Sequence, residues 1–145
     1  MSDFRKLSDS VLASPQITLE DVESARAEGV GLIVNNRPEG EADDQTPGPA
    51  IESAARAAGI AYTAIPIGQA GFGEAEVRAM MDALAQAEGK VLAYCRSGTR
   101  STLLWALARC AEGDEPDAVA TAAAAAGYNV APVRSAMDAL ASRLG

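Results

Sequence analysis

Apolar and polar positions change period several times along the chain, and each change marks an element. Phe4–Leu7 and Val11–Ala13 read as two short strands. Thr18 opens a helix, with Asp21 three residues on in near capping-box spacing, and Gly29 ends it. Val30–Asn35 reads as a buried strand that runs out into Asn36-Arg37-Pro38. A polar loop leads to a helix from Pro49 to Ala58, closed by Gly59, and Ile60–Ile67 is the next strand. After a glycine-flanked loop around Phe72, Glu74–Glu88 repeats Val77, Met80, Met81 and Leu84 on one helical face. Gly89 stops that helix before strand Lys90–Tyr94. Helices over Ser101–Ala111, Pro116–Ala126 and Ala131–Leu144 complete the pattern. Ala122–Ala126 is low in complexity but is simply a run of strong helix formers.

Strands alternating with helices predict an α/β fold: one domain spanning residues 1–145, with a central, mostly parallel sheet flanked by helices. In such sheets sites form beyond the C-terminal ends of the strands. That rule gathers three loops: Asn36-Arg37-Pro38, Gly68–Phe72 and Cys95–Ser101.

The chemistry sits in the last of these. Tyr94-Cys95-Arg96-Ser97-Gly98-Thr99-Arg100-Ser101 links an apolar strand to a helix. A thiol on such a turn lies among backbone N–H groups at a positive helix end, which favours its ionised form. The same amides converge on one point and bind oxyanions, and arginines add bidentate donors. Cys110, on the apolar stripe of Leu103, Leu104, Ala106 and Leu107, reads as core instead. A Cys95–Cys110 disulfide is not expected, because the helix between them separates the sulfurs.

Charge and composition narrow the classes. A net charge of −8 excludes a general nucleic-acid binder. The acidic residues concentrate in Glu39, Glu41, Asp43, Asp44 and in Glu112, Asp114, Glu115, Asp117, which read as solvated loops and not as metal sites. The absence of histidine excludes Ser-His-Asp and Cys-His catalysis and any His-ligated metal. No metal or cofactor is expected. No run approaches the ~20 apolar residues of a membrane span. With no signal-like N-terminus and two cysteines expected to stay reduced, the expected compartment is the cytoplasm.

Five segments together carry a family resemblance: Val34–Glu41, Gly59–Ile67, Ala93–Ser101, Leu104–Leu107 and Ala126–Val130. From about residue 4 to 143 the chain resembles the phosphatase-like domain of the beta-lactamase hydrolase-like proteins. The resemblance implies a fold like that of protein-tyrosine and dual-specificity phosphatases. In some bacteria the domain is fused to a metal-dependent persulfide dioxygenase, which implies a persulfide-metabolism protein as a partner.

The phosphatase signature is Cys, two residues, Gly, two residues, Arg. Cys95 and Gly98 keep this spacing, but Ser101 stands at the Arg position and Arg100 comes one residue early. Tyr94 replaces the usual preceding His, and Gly68-Gln69 replaces the general-acid Asp, the next carboxylate along being Glu74. The loop looks instead like that of rhodanese sulfurtransferases, Cys-Arg-x-Gly-x-Arg. Attack of a thiolate on thiosulfate expels sulfite, which needs no acid, whereas ester hydrolysis is usually assisted by one.

The leading expectation is therefore a sulfurtransferase that forms a persulfide on Cys95 and passes sulfur to a thiol or cyanide. A phosphatase working through a phosphocysteine is the alternative, and a non-catalytic oxyanion- or persulfide-binding module the third. Each takes a small anionic ligand: thiosulfate, a persulfide or a phosphate ester. Cys95 and Arg100 are the expected catalytic pair, with Arg96, Ser97, Gly98, Thr99, Ser101 and Arg37 expected around the anion. Gly98 turns the amides inward, and Ser97, Thr99 and Ser101 donate to the thiolate or cap the helix, capping being the expectation for Ser101. Arg37 either faces the site or fixes the acidic loop through Glu39 or Glu41. Trp105 reads as core, and Phe72 as a lid or an apolar anchor.

Overall fold

A computed structural model describes residues 2–143. Strands β1 (Arg5–Ser8), β2 (Val11–Ser14), β3 (Val30–Asn35), β4 (Ala61–Ala64) and β5 (Lys90–Tyr94) form one sheet in the order β1-β2-β5-β3-β4. Only the β1–β2 pair is antiparallel, so the expected mostly parallel α/β sheet is what forms. Central strand β5 is apolar on both faces, as a sheet covered on both sides requires. Val91 and Ala93 point into one core, and Leu92 and Tyr94 into the other.

Helices α1 (Leu19–Ala27) and α2 (Gly48–Ala57) cover the Leu92 face. On the other face lie α3 (Glu74–Gln86), α4 (Thr99–Ala111), α5 (Pro116–Ala125) and α6 (Arg134–Ser142). The capping box at α1 is complete: Asp21 N–H donates to Thr18 Oγ1, and Thr18 N–H donates to Asp21 Oδ2. Two helix starts differ from the sequence reading. Residues Ala131–Val133 form a 3₁₀ turn ahead of α6, because Pro132 fits a first turn but cannot donate inside a helix; the expected helix end at Leu144 lies outside the described residues. The other difference is at α4, which begins two residues early.

Cys110 is fully buried, a free thiol on α4 in the larger core, where burial pushes its pKa up. Trp105 is buried there too, as expected. Among the described residues no helix is long and apolar enough to cross a membrane.

Candidate active site

The four parallel strands stop at one level. Ser14 pairs with Tyr94, Tyr94 with Asn35, and Asn35 with Ala64, so the chain leaves each strand beside its neighbours. Cys95 N–H donates to Ser14 O at 3.3 Å, and Asn36 N–H donates to Tyr94 O at 2.8 Å. The loop then turns at Gly98, the N-cap of α4, with φ 92°. This is left-handed backbone that a side chain disfavours, and a Cβ here would also collide with the Tyr128 hydroxyl. The turn aims the Gly98 N–H at Cys95 Sγ, 3.1 Å away. Cys95 is thus fully buried at the N-terminus of a 13-residue helix, with a backbone donor on its sulfur.

Arg100 sits in the first turn of α4. Its Nη1 donates to Ile67 O and to Glu41 Oε2, each at 2.8 Å, and its Nη2 donates to Glu41 Oε1 at 2.8 Å. The bond to Glu41 is the main reason the guanidinium is held more firmly protonated than usual; burial opposes it, and the charge of Cys95 adds to it. Arg100, two residues past the Gly98 turn, is thus held by a carboxylate and a backbone carbonyl. Arg37 reaches the same carboxylate, its Nε donating to Glu41 Oε1 at 2.9 Å, while its Nη1 donates to Gln16 Oε1 at 3.0 Å. The two arginines, Arg100 foremost, hold the Glu41 carboxyl down to about 2 against the effect of burial. Of the two alternatives for Arg37, the structure shows the pairing with Glu41; Arg37 is only 5% exposed and enters the site's network through that carboxylate.

The remaining expected residues divide. Arg96 is exposed and makes no ion pair among the described residues, though its backbone O accepts from Gln16 N–H at 3.2 Å. Ser97 and Thr99 are exposed, and their hydroxyls bond each other at 3.0 Å instead of the thiol. Ser101 does not cap the helix. Because α4 starts at Thr99, Ser101 is already inside it, fully buried, and its Oγ donates to Asn36 Oδ1 at 2.8 Å. Asn36 in turn donates to Ile65 O, so Ser101 ties α4 to two strand ends. Among the described residues the Gly68–Phe72 loop makes no hydrogen bond to the Cys95 loop; the Ile67 carbonyl just before it accepts from Arg100. Phe72 is partly buried against the larger core and lines a cavity with Val77, Met81, Leu107 and Leu140, the placement expected of an apolar anchor.

Glu39 and Glu41 lie on an exposed loop as expected, but several acidic residues are also engaged: Glu41 pairs with Arg100 and Arg37, Asp114 with Arg109 and Asp117 with Arg134, and Glu39 accepts from Gly48 N–H at 2.9 Å. Sequence reasoning also missed Gln16 and Tyr128. Gln16 follows β2, a fourth strand end that the three-loop reading left out. Tyr128 OH donates to Ser97 O at 3.2 Å, and its ring lies 5.3 Å from the Arg5 guanidinium, so the loop is braced from the far end of the chain. Only the placement of Tyr128 in a family-like segment could have flagged it.

This arrangement agrees with what the chain resembles. The family model for the phosphatase-like domain of beta-lactamase hydrolase-like protein matches residues 3–113. The chain belongs to that family. A beta-lactamase hydrolase-like protein of Agrobacterium fabrum is 35% identical over 108 residues, 74% of this chain and 25% of that protein. One from Xylella fastidiosa is 41% identical over 85 residues, 59% of this chain and 20% of that protein. The chain thus spans about a fifth to a quarter of the curated relatives it matches.

Among solved structures, a candidate phosphatase of Neisseria meningitidis superposes with TM-score 0.84 at 33% identity, covering 97% of this chain and 99% of that one. Kinase associated phosphatase, solved with a serine in place of its catalytic site cysteine, gives TM-score 0.65 at 19% identity over 84% and 80% of the two chains. The latter likeness is one of fold. The fold is that of the protein-tyrosine and dual-specificity phosphatases.

Proposed function

We propose that the protein is a cysteine-dependent phosphatase-like hydrolase that takes small oxyanion esters through a covalent bond to Cys95. The observation that carries this is the buried Cys95 sulfur, facing the Gly98 amide at the start of a helix whose first turn carries Arg100. A helix start and a guanidinium fork provide the electrostatics that a three-oxygen phosphoryl group needs. The kinship with phosphatase-like proteins reverses the order expected from the loop alone, which put sulfur transfer first.

In this reading the Cys95 thiolate attacks phosphorus and the P–O bond to the leaving group breaks. Water then attacks the phosphocysteine, the S–P bond breaks, and inorganic phosphate departs. Glu41, the carboxylate bonded to Arg100 and Arg37, stays ionised to about pH 2 and so has no proton to give the leaving oxygen. The substrates that fit are therefore esters whose leaving group departs as a stable anion, such as aryl or acyl phosphates.

A second reading, sulfur transfer, is favoured by two features: the spacing of Cys95, Gly98 and Arg100, and the ionised state of Glu41, which leaves that carboxyl no proton to give. Attack on the outer sulfur of thiosulfate breaks the S–S bond, releases sulfite and leaves a Cys95 persulfide, with no proton required. A thiolate or cyanide acceptor then takes that sulfur. On this reading a persulfide-producing or persulfide-consuming protein is the partner. Either reaction requires a free thiol and so suits a reducing compartment such as the cytoplasm.

Intact-mass measurement after brief exposure to an aryl phosphate or to thiosulfate separates the two. A gain of about 80 Da marks a phosphoryl group and about 32 Da a sulfur atom on the nucleophile. Turnover of the aryl phosphate that Cys95→Ser abolishes is the expected result. Turnover of thiosulfate alone would exchange the two readings, and an oxyanion bound with no adduct from either would leave a binding module.

A further inference from the structure

Glu41 contributes nothing as an acid, yet it makes three of the charged hydrogen bonds at the site: two from Arg100 and one from Arg37. Its carboxylate takes the two-point geometry that an incoming oxyanion would use on Arg100. Cys95, five residues before Arg100 on the same strand-to-helix turn, is fully buried while the contact is made. The segment carrying Glu41 is braced independently of it. Gln45 Nε2 donates to Pro38 O, Ala42 N–H donates to Gln45 Oε1, and Glu39 accepts from Gly48 N–H. Withdrawal of Glu41 is thus a side-chain rotation and does not require the loop to unfold. Glu41 itself is 28% exposed, so it has solvent to rotate into.

We propose that Glu41 is a specificity-determining gate, an internal carboxylate that occupies the Arg100 fork beside Cys95 and yields it to dianionic oxyanions in preference to monoanions. This rests on the reading that Cys95 acts on small oxyanions. A monoanion from solution offers Arg100 the same charge and the same two oxygens as Glu41, and it must also give up its translational freedom. It gains nothing by the exchange. A tetrahedral dianion brings a second charge and further oxygens for the amides around Gly98. Phosphate monoesters and thiosulfate meet this requirement; phosphate diesters and simple carboxylates do not.

The test needs no turnover, so its outcome is separate from that of the reaction itself. Sulfate and formate are titrated at equal ionic strength into wild type, Glu41→Gln and Glu41→Asp, and iodoacetamide labelling of Cys95 is followed, with Cys110 as the internal standard for an intact core. Wild type should bind sulfate and not formate. Glu41→Gln should bind sulfate about fivefold more tightly, as expected for removing one charge beside a partly exposed guanidinium, and should acquire formate binding. Cys95 should be labelled several-fold faster in this variant while Cys110 stays unlabelled.

Weaker sulfate binding in Glu41→Gln would show that Glu41 only props up Arg100, and unchanged affinity together with unchanged labelling would show that it guards nothing; either overturns the gate. If Glu41→Gln exposes both cysteines, Glu41→Asp is decisive, since it keeps the charge but is too short for the fork. Faster labelling confined to Cys95 upholds the gate. Exposure of both cysteines in that variant too would make Glu41 a folding residue and overturn it. Absence of phosphatase or sulfurtransferase turnover with these binding results intact would indict the reaction and leave the gate standing.

Discussion

The two cysteines stand at opposite ends of α4, both fully buried, and share almost nothing else. Cys95 precedes the helix start, with the Gly98 amide on its sulfur and Arg100 in the helix's first turn. Cys110 lies in the last turn among core side chains, and burial is the main cause of its raised pKa, with the Asp114 charge adding to it. Burial alone therefore says nothing about reactivity. What separates the two is the sign of the helix end and the presence of a fixed cation.

The sharpest way to break this contrast is to exchange the sulfurs for oxygen. Cys95→Ser should lower turnover of an aryl phosphate at least ~1000-fold, because serine in the same place has no base to activate it. Cys110→Ser should keep turnover within about twofold and lower stability by about 1–3 kcal/mol, the cost of a poorly bonded hydroxyl in an apolar core. Denaturant titration beside steady-state kinetics reads both. Equal loss of activity in the two variants would end the distinction.

Arg100 and Arg96 sharpen it next. Arg100→Lys keeps the charge but loses the planar fork, and should weaken sulfate or thiosulfate binding about tenfold with the fold intact. Arg96, exposed and without an ion pair among the described residues, should change binding by less than about twofold as lysine. A larger loss at Arg96 would mean that the loop presents its other face to the anion. Gly98→Ala acts on the backbone beneath both. It forces a side chain into left-handed φ and against Tyr128, and should lower stability by about 1–3 kcal/mol while displacing the donor to Cys95. A fully active, stable Gly98→Ala would show that the left-handed turn is dispensable.

Much of this was legible in the sequence because local rules agreed with one another. The strand–turn–helix around Cys95, the Thr18–Asp21 cap and the apolar face of α3 follow from spacing alone. Cys95 at the strand end and Arg100 in the first turn of α4 could be placed because the loop is contiguous. What escaped depends on which atoms meet across distant segments. Glu41 sits in an acidic run that looks like ordinary solvated loop until two arginines converge on it from β3 and α4. Ser101 looks like a cap because serine favours that place, and it loses the role because Gly98 starts the helix earlier. Gln16 and Tyr128 carry no local signal; only the sheet order and the return of the chain after α5 bring them to the loop.

The smallest effect, and the one that tests both ends of α4 at once, is the pH dependence of stability. Glu41 has its pKa lowered from 4.5 to about 2 on folding, so the unfolded chain binds more protons between those values. Stability from this group is fully present above pH 4.5 and is lost as pH falls toward 2. After solvent screening of a partly exposed pair it amounts to on the order of 1 kcal/mol. Cys110 works in the opposite direction. Its thiol is raised by burial, so in alkali the unfolded chain releases a proton that the folded chain keeps, and stability falls once pH passes the ordinary thiol range. Melting temperature measured across the pH range should therefore bend down at both extremes, with separable causes. Glu41→Gln should flatten the acid limb and leave the alkaline one. Cys110→Ala should flatten the alkaline limb only between the ordinary thiol and phenol ranges and leave the acid one; above that, burial of the Tyr62, Tyr94 and Tyr128 hydroxyls keeps stability falling. If one substitution flattened both, the two ends of the helix would be coupled through its length, and the contrast between a charged, anion-ready end and an inert apolar end would no longer hold.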